Sequence, residues 1–368
     1  MKENVTEKAR LMATECVDCA ICVKQCRFLS RHGTPRTLAA LFLKEPDSDL
    51  AFRCSLCRLC TAICPKEIDP AHLFLAQRIQ VARHPQGRPG QHRPLLSYEK
   101  RGSSRALSWY ALPDGCDTIF FPGCALPGSR PQRVMDVVRQ LQQEIPALGV
   151  VLDCCTKPSH DLGRLDYFQS MFADLLAILK KRGIKKVLVA CPNCFRMFKE
   201  YSQLEVETIY ERLPVPSSAQ SRGEVTIHDP CGVRFESAIH TAVRRLVTAT
   251  GCTVREMKHH GEKTLCCGEG GAVGYLDNEL AQSWTELRRQ EAGGQQVITY
   301  CAGCSHYLGR SMAASHLLDL LFEPDKTLAA RVKVARSPMT YWHRFRLKKR
   351  LARILAPHRA HCRQGRRP

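Results

Sequence analysis

Eight cysteines fall into two runs of one spacing, Cys16-Val-Asp-Cys19-Ala-Ile-Cys22-Val-Lys-Gln-Cys26 and Cys54-Ser-Leu-Cys57-Arg-Leu-Cys60-Thr-Ala-Ile-Cys64-Pro65. Three soft thiolates at three-residue intervals wrap one face of a 4Fe–4S cluster when the loop between them is tight. The fourth thiolate comes from elsewhere, and where two such runs share a chain it comes from the other run. The expected sets are therefore Cys16, Cys19, Cys22 and Cys64 for one cluster, and Cys54, Cys57, Cys60 and Cys26 for the other. Zinc is the bland alternative, but a structural zinc draws its four ligands from C-x-x-C pairs rather than triplets with a remote fourth. Arg27 follows Cys26 where the pattern usually carries proline, which alters the local turn and removes no ligand.

Ten further cysteines obey a second pattern, twice. Cys124, Cys154, Cys155, Cys191 and Cys194 form one set; Cys231, Cys266, Cys267, Cys301 and Cys304 form the other. The offsets are 107 from Cys124 to Cys231, 112 from Cys154 to Cys266 and 110 from Cys191 to Cys301, as expected for two copies of one domain. Each set is an isolated cysteine, an adjacent pair and a C-x-x-C. Five soft ligands are one more than a zinc ion or an ordinary cubane uses. A zinc site would leave a reactive thiol in each half, and a cubane with one spectator cysteine is the other alternative. Cys116, Cys252 and Cys362 fit neither pattern and read as structural or incidental.

The elements around these residues suggest how they are positioned. Between the first two runs, Pro35 to Leu43 reads as a short helix with proline in its first turn, and Ala71 to Ala82 has helical apolar spacing. Residues 1–85 are thus expected to be a mostly helical module. His84 to Gly115, rich in Pro, Gly, Arg and Ser, reads as a connecting segment, with 86–115 as the linker. From Thr118 the pattern changes. Short β runs at 118–121, 150–152 and 186–189 each end at cysteines and alternate with the helical stretches Pro131 to Glu144 and Tyr167 to Lys181. That is an α/β unit with its ligands at the carboxyl edge of the sheet. The unit repeats once, from Val225 through the Gln296 to Cys304 stretch that matches its last strand and C-x-x-C, and Pro214 to Gly223 joins the two copies. The expected fold class is α+β and multidomain: the helical module at 1–85, α/β domains at 116–213 and 224–325, and a tail at 326–368.

The chain has 368 residues, 21 cysteines and a formal charge of +20. A secreted disulfide framework is a poor account of the cysteines, because their number is odd, the chain is large, and their spacings are those of metal ligands. The N-terminal stretch has no apolar core of a secretory signal, and no apolar run approaches a membrane span. A reducing cytoplasm is the expected compartment, with a peripheral position on the inner face of the cell membrane as its variant. Fourteen Lys or Arg and no Asp or Glu lie in residues 326–368, so the basicity belongs to the tail. Its Tyr341 to Leu355 stretch mixes aromatic, aliphatic and basic residues in a helical pattern. This favours a membrane surface or an acidic partner over nucleic acid, for which no fold is visible.

The two five-cysteine sets resemble the cysteine-rich CCG domains of heterodisulfide reductase catalytic subunits. Related domains occur in iron–sulfur subunits of anaerobic glycerol-3-phosphate dehydrogenase, glycolate oxidase and lactate-utilisation systems. A dicluster ferredoxin module ahead of two CCG domains is similar to the membrane-associated heterodisulfide reductase subunit, and the resemblance covers nearly the whole chain. It implies two cubane 4Fe–4S clusters in the ferredoxin module and a noncubane 4Fe–4S cluster in each five-cysteine set, facing each other across a pseudo-twofold axis. It further implies cleavage of a disulfide by one-electron steps at each sulfur. Both sets keep all five cysteines, whereas many electron-transfer relatives have lost some. One departure is Thr156 after Cys155, where the second copy has Gly268 after Cys267.

Lys157, His160 and Asp161 follow the first adjacent pair, Glu269 follows the second, and His228 precedes Cys231. Reducing a disulfide consumes two protons, and His160 is the candidate donor, against the bland alternative of an ordinary loop residue. His228 is as readily a core residue as a functional one. Two readings stand: an oxidoreductase subunit reducing a disulfide or thiol-type substrate, or an electron-transfer subunit linking a flavin dehydrogenase to the membrane quinone pool. Electrons would come from a redox partner: a flavoprotein, a ferredoxin or a membrane cytochrome. No Rossmann or P-loop fingerprint is present, so neither a nicotinamide nor a nucleotide reaction is supported.

Overall fold

A helix that is apolar on every side needs neighbours on every side, and Pro70–Ala82 is such a helix, with eleven of its thirteen residues buried. In the computed structural model, which describes residues 5–84, 90–216 and 220–355, it is the axle of the N-terminal module. Helices Val5–Glu15 and Pro35–Lys44 pack against it and each other, and Asp69 caps its first turn through the Ala71 N–H. The Pro35–Lys44 helix begins as its sequence predicts, with Pro35 in the first turn and Thr34 Oγ1 accepting from the Thr37 N–H.

The rest of the chain is two α/β halves, making the whole an α+β multidomain fold. In the first half the strands are β1 (Trp109–Ala111), β2 (Thr118–Phe121), β3 (Gly149–Leu152), β4 (Lys186–Val189) and β5 (Glu205–Thr208), in the order β1-β3-β2-β4-β5. The second half has β6 (Glu224–His228), β7 (Thr253–Val254), β8 (Val297–Thr299) and β9 (Ala314–His316), in the order β7-β6-β8-β9. Apart from β1 the two orders are the same, all strands are parallel, and β2 corresponds to β6 and β4 to β8. The crossover helices Pro131–Glu144 and Leu165–Lys181 cover the first sheet; Ser237–Ala249 and Asn278–Ala292 take those places in the second half. The strand order switches side at β2 and β6, and the loops leaving the carboxyl ends of those strands and of β4 and β8 open into one crevice. That is where Cys124, Cys191, Cys231 and Cys301 stand.

Two segments depart from the sequence expectation. Residues 93–111, expected as a connection, contain the helix Arg93–Gly102 and strand β1, which pairs antiparallel with β3 from Trp109↔Leu152 to Ala111↔Val150. Three residues are too short to show an alternation, and their strand character comes from the β3 edge they cover. The tail helix spans Met339–Leu355, with Leu347, Leu351 and Leu355 buried against the first half. Its apolar stripe therefore faces protein, not lipid. Arg344 donates to Gly102 O (2.9 Å), and Lys348 Nζ to the carbonyls of Arg105, Ala106 and Ser108 (3.1, 3.3 and 3.1 Å), so the helix straps the 102–108 loop. Part of the Pro214–Gly223 joint (217–219) and residues 356–368, which include Cys362, lie outside the described residues.

Candidate metal centres

The two N-terminal runs fold into loops of one shape. Asp18 and Ala20 adopt left-handed backbone (φ 58° and 57°), and so do Leu56 and Arg58 at the equivalent places (φ 49° and 59°). Each non-glycine residue there costs about 1–2 kcal/mol, and matching outliers in matching loops mark a shape kept for a ligand. The crossed sets expected from spacing are brought together. The Cys22 thiol is pushed up to about 11 by burial and by Cys16, Cys19 and Cys64. Cys60 is pushed well up by burial, then by Cys26, Cys54 and Cys57. A cavity lined by Cys16, Cys19, Cys22 and Cys64, walled by Ile63, Pro65 and Ile68, occupies the centre of the first set. Cys19 in that set is exposed, whereas all four cysteines of the other set are buried.

In the two halves the ten cysteines form one connected group. Cys124 contacts Cys154, Cys155 lies 3.5 Å from Cys194, and Cys191 contacts Cys194. In the second half the chain of contacts runs Cys231, Cys266, Cys267, Cys304, Cys301. Cys191 also meets Cys301, its own counterpart in the repeat. Contact between equivalent residues is what a twofold relation produces on its axis. Tyr210 sits there too, its hydroxyl donating to Ala190 O (2.8 Å) and Tyr300 O (3.1 Å), the carbonyls preceding those two cysteines.

The adjacent pairs are held alike. Thr156 N donates to Cys154 Sγ (3.4 Å) and Gly268 N to Cys266 Sγ (3.3 Å). Thr156 reaches this geometry at φ 55°, the αL well that a side chain enters at a cost, while Gly268 lies at φ 102°. A side chain at Gly268 would also meet Ala281 O at 2.5 Å, so glycine is required there by both conformation and space. The departure at Thr156 thus changes the cost of the turn and not its hydrogen bond.

Around the group, Lys157 is ion-paired with Asp161, whose carboxyl also takes a hydrogen bond from His160 Nδ1 (2.9 Å). His160, expected as the candidate proton donor, has its other nitrogen on the Tyr201 hydroxyl (2.8 Å), so both ring nitrogens are engaged and neither is free to face the cysteines. Glu269, an exposed residue, reaches over Gly303 in the Cys301–Cys304 turn, where desolvation by the surrounding protein followed by the Cys191 charge pushes its carboxyl up to about 7. His228, at the end of β6, is the residue that sequence alone leaves ambiguous. Its ring lies with Cys267 Sγ and Cys304 Sγ, the three ligand atoms all within 4.8 Å of one another. Burial, followed by Arg288, pushes the His228 imidazole down to about 3, keeping it neutral. Cys116 donates to Thr118 O (3.2 Å) and Cys252 lies in the core, both structural placements.

The ferredoxin-type module is bolted to this group. Arg78, fully buried, donates to the carbonyls of Ala51 (3.0 Å), Cys54 (2.5 Å), Asp161 (2.7 Å) and Gly271 (3.0 Å). Arg234, three residues after Cys231, donates to Cys57 O (2.8 Å) and Thr264 O (2.8 Å). Cys57 feels the charge of Cys231, and Cys266 that of Cys57. The buried N-terminal set therefore abuts the second half.

Such crowding tests what the cysteines can hold. Thiols so close together cannot all ionise alone: Cys194, Cys301 and Cys304 are driven well up, chiefly by neighbouring cysteines, while Cys124, Cys191 and Cys267, which accept from neighbouring thiols, are drawn down. Only a multivalent cationic group can keep such a set as thiolates. Iron–sulfur clusters fit the donor type, the number of donors and the burial.

The comparisons with known proteins agree. The 4Fe-4S dicluster domain matches residues 15–69, and the cysteine-rich domain matches twice, at 118–199 and 225–309. One polypeptide of the dihydromethanophenazine:CoB–CoM heterodisulfide reductase of Methanosarcina mazei is 24% identical over 362 residues, covering 81% of this chain and 88% of that one. The chain thus carries a 4Fe-4S dicluster domain followed by two cysteine-rich domains, and heterodisulfide reductase polypeptides are among its relatives. One polypeptide of the CoM/CoB fumarate reductase of Methanothermobacter marburgensis is 23% identical over 347 residues (83% of this chain, 69% of that one). The EtfAB:quinone oxidoreductase of Syntrophomonas wolfei is 23% identical over 269 residues (63% and 38%). This is the domain make-up of an iron–sulfur electron-transfer protein of the heterodisulfide reductase type. Among the described residues, no helix is long and apolar enough to cross a membrane.

Proposed function

We propose that this chain is the iron–sulfur oxidoreductase subunit of a larger redox assembly, reducing a disulfide or related thiol-type substrate where its two cysteine-rich halves meet. The observation that supports this most is the contact of Cys191 with Cys301 inside two complete five-cysteine sets. In this reading Cys16, Cys19, Cys22 and Cys64 hold one cubane cluster, Cys54, Cys57, Cys60 and Cys26 hold a second, and each five-cysteine set holds a noncubane one. When bound, these clusters supply one-electron carriage and, at the paired site, the means to split a sulfur–sulfur bond.

The protein's own residues set the direction. Cys19 is the exposed member of the first set, so a redox partner such as a flavoprotein, ferredoxin or membrane cytochrome docks there. Arg78 and Arg234 fix the buried set against the second half. Protons reach the paired site along Tyr201, His160, Asp161 and Lys157, a hydrogen-bonded row whose first member is at the surface and whose last lies beside Cys231. His160 acts there as a relay. The basic outer face of the tail helix, with Trp342 exposed, seats the chain on an acidic partner or peripherally on the inner face of the cell membrane.

A second reading is favoured by the burial of seven of the ten cysteines in the two sets and the likeness to a quinone oxidoreductase: an electron-transfer subunit linking a flavin dehydrogenase to the quinone pool. Iron and acid-labile sulfide on anaerobically purified protein come first: about sixteen irons per chain, four per cluster site, are expected. About eight, confined to the N-terminal module, would remove disulfide cleavage. With full loading, turnover of a disulfide panel using an artificial donor then separates the two readings. No turnover, together with rapid reduction by a flavoprotein, selects the wire.

A further inference from the structure

The two halves carry the same cysteines but not the same surroundings. The repeat that superposes Cys124 on Cys231 places Phe121 on His228, each the last residue of its strand. Phe121 is an ordinary core residue, its ring edge-on to Phe198 with centroids 5.2 Å apart. His228 is as buried as Phe121, at 1% exposure, yet among the described residues neither ring nitrogen has a hydrogen-bond partner. Leaving a buried polar group unpaired costs free energy, which a chain avoids by placing an apolar residue there, as its first half does. Beside the ring stand the sulfurs of Cys267 and Cys304, the three ligand atoms lying within 4.8 Å of one another.

We propose that His228 is an N–H donor to a thiolate sulfur of the Cys267 and Cys304 pair, and that it sets the reduction potential of the second cysteine-rich site above that of the first. The inference rests on the reading that each five-cysteine set holds a cluster. Five cysteines suffice in the first half without a nitrogen ligand, so a sixth ligand is not needed in the second. What the imidazole adds is an N–H donor, and a hydrogen bond to a cluster sulfur disperses its negative charge and raises its potential. The site so tuned is the one that abuts the buried N-terminal set. His228 thereby makes the step out of the ferredoxin-type module favourable and holds the electron on the second half, so two sites of one sequence pattern serve as unequal partners.

The test uses the full chain, anaerobically loaded, as wild type, His228→Phe and His228→Gln. Histidine-labelled wild type should show a weak nitrogen coupling on one cysteine-site paramagnetic signal, absent in His228→Phe. The midpoint potential of that signal should fall in His228→Phe and be largely kept in His228→Gln, which retains an N–H, while the other cysteine-site signal does not move. Full iron content with no nitrogen coupling and unmoved potentials would overturn the inference and leave the cluster reading intact. The strong coupling of a directly bound nitrogen would overturn it too, by making His228 a ligand. Iron absent from the second half would sink both. Because the nitrogen coupling is read on wild type, the test survives a Phe variant that fails to load.

Discussion

Asp229 shows how much of this site is decided by single side chains that never touch a metal. Its buried carboxylate accepts from Arg244 Nη1 (3.0 Å) and Nη2 (2.9 Å), from Gly261 N (2.7 Å) and from the Tyr300 hydroxyl (2.9 Å). Burial alone would raise its pKa; the hydrogen bonds and charge of Arg244, with His240 and Gly261 behind them, outweigh burial and hold it at about 2. The folded value lies below the unfolded value of about 4, so the stabilisation is complete above about pH 4 and lost as pH falls through about 2, and is worth roughly 2 kcal/mol. Asp229→Asn leaves Arg244 partly buried without its main partner and should cost about 3–5 kcal/mol at neutral pH. Glu256→Gln, which removes the more exposed arm of the same arginine, should cost less than about 1 kcal/mol. Urea unfolding of the metal-free chain from pH 7 to pH 2 checks both. Equal losses, or an acid limb that survives in Asp229→Asn, would show that the bond to Arg244 is not what anchors the loop before Cys231.

At the scale of elements, the tail helix is the piece whose role depends most on its surroundings. Its basic residues dominate the sequence, yet its packing is done by Leu347 and Leu351, at 1% and 0% exposure. Leu351→Ala should destabilise the chain by about 2–5 kcal/mol, against less than about 0.5 for Ile354→Ala on the outer face. Thermal unfolding of the two variants decides it, and a matching small shift for both would mean that the helix is only loosely attached. The row of leucines is visible in the sequence; which surface it meets is not, because lipid and protein ask for the same apolar stripe. Strands β2, β3, β4 and β6 are legible for a different reason: each runs into a cysteine turn that marks its end. Strand β1 and the Arg93–Gly102 helix are not, since a segment rich in Pro, Gly and Arg reads as a loop until an edge such as β3 pairs with it. The cysteine sets themselves are readable from spacing alone. His228 becomes informative only when the fold lays Cys267 and Cys304 beside it, residues 39 and 76 positions away.

For the whole molecule, what matters is that three units behave as one. The hydrophobic core of the N-terminal module runs without a break into Leu265, Val273, Leu280 and Trp284 of the second half, and the first half joins through buried Arg130, bonded to Asp319 at 2.5 Å and to Ser305 at 2.8 Å. Arg78 is the pin through all three, since its four carbonyl partners come from the module, the first half and the second half. Close approach reinforces it: a side chain on Gly271 would lie 2.4 Å from Cys54 O. Although burial lowers its pKa to about 10, the guanidinium stays charged at neutral pH and offers its donors to carbonyls in three directions. Arg78→Met keeps most of the packed volume but strands four buried acceptors, each costing about 1–3 kcal/mol when unpaired. The expected result is a chain that still loads its N-terminal clusters but passes electrons onward slowly. After rapid mixing with a reductant, the N-terminal paramagnetic signals should build up well before those of the cysteine-rich sites, whereas in wild type they rise together. Arg78→Lys, with a single point charge in place of the fork, should fall between. If Arg78→Met transferred electrons at the wild-type rate, the module would be held in register by its apolar contacts alone, and the arginine would be serving stability rather than the spacing of the cysteine sets.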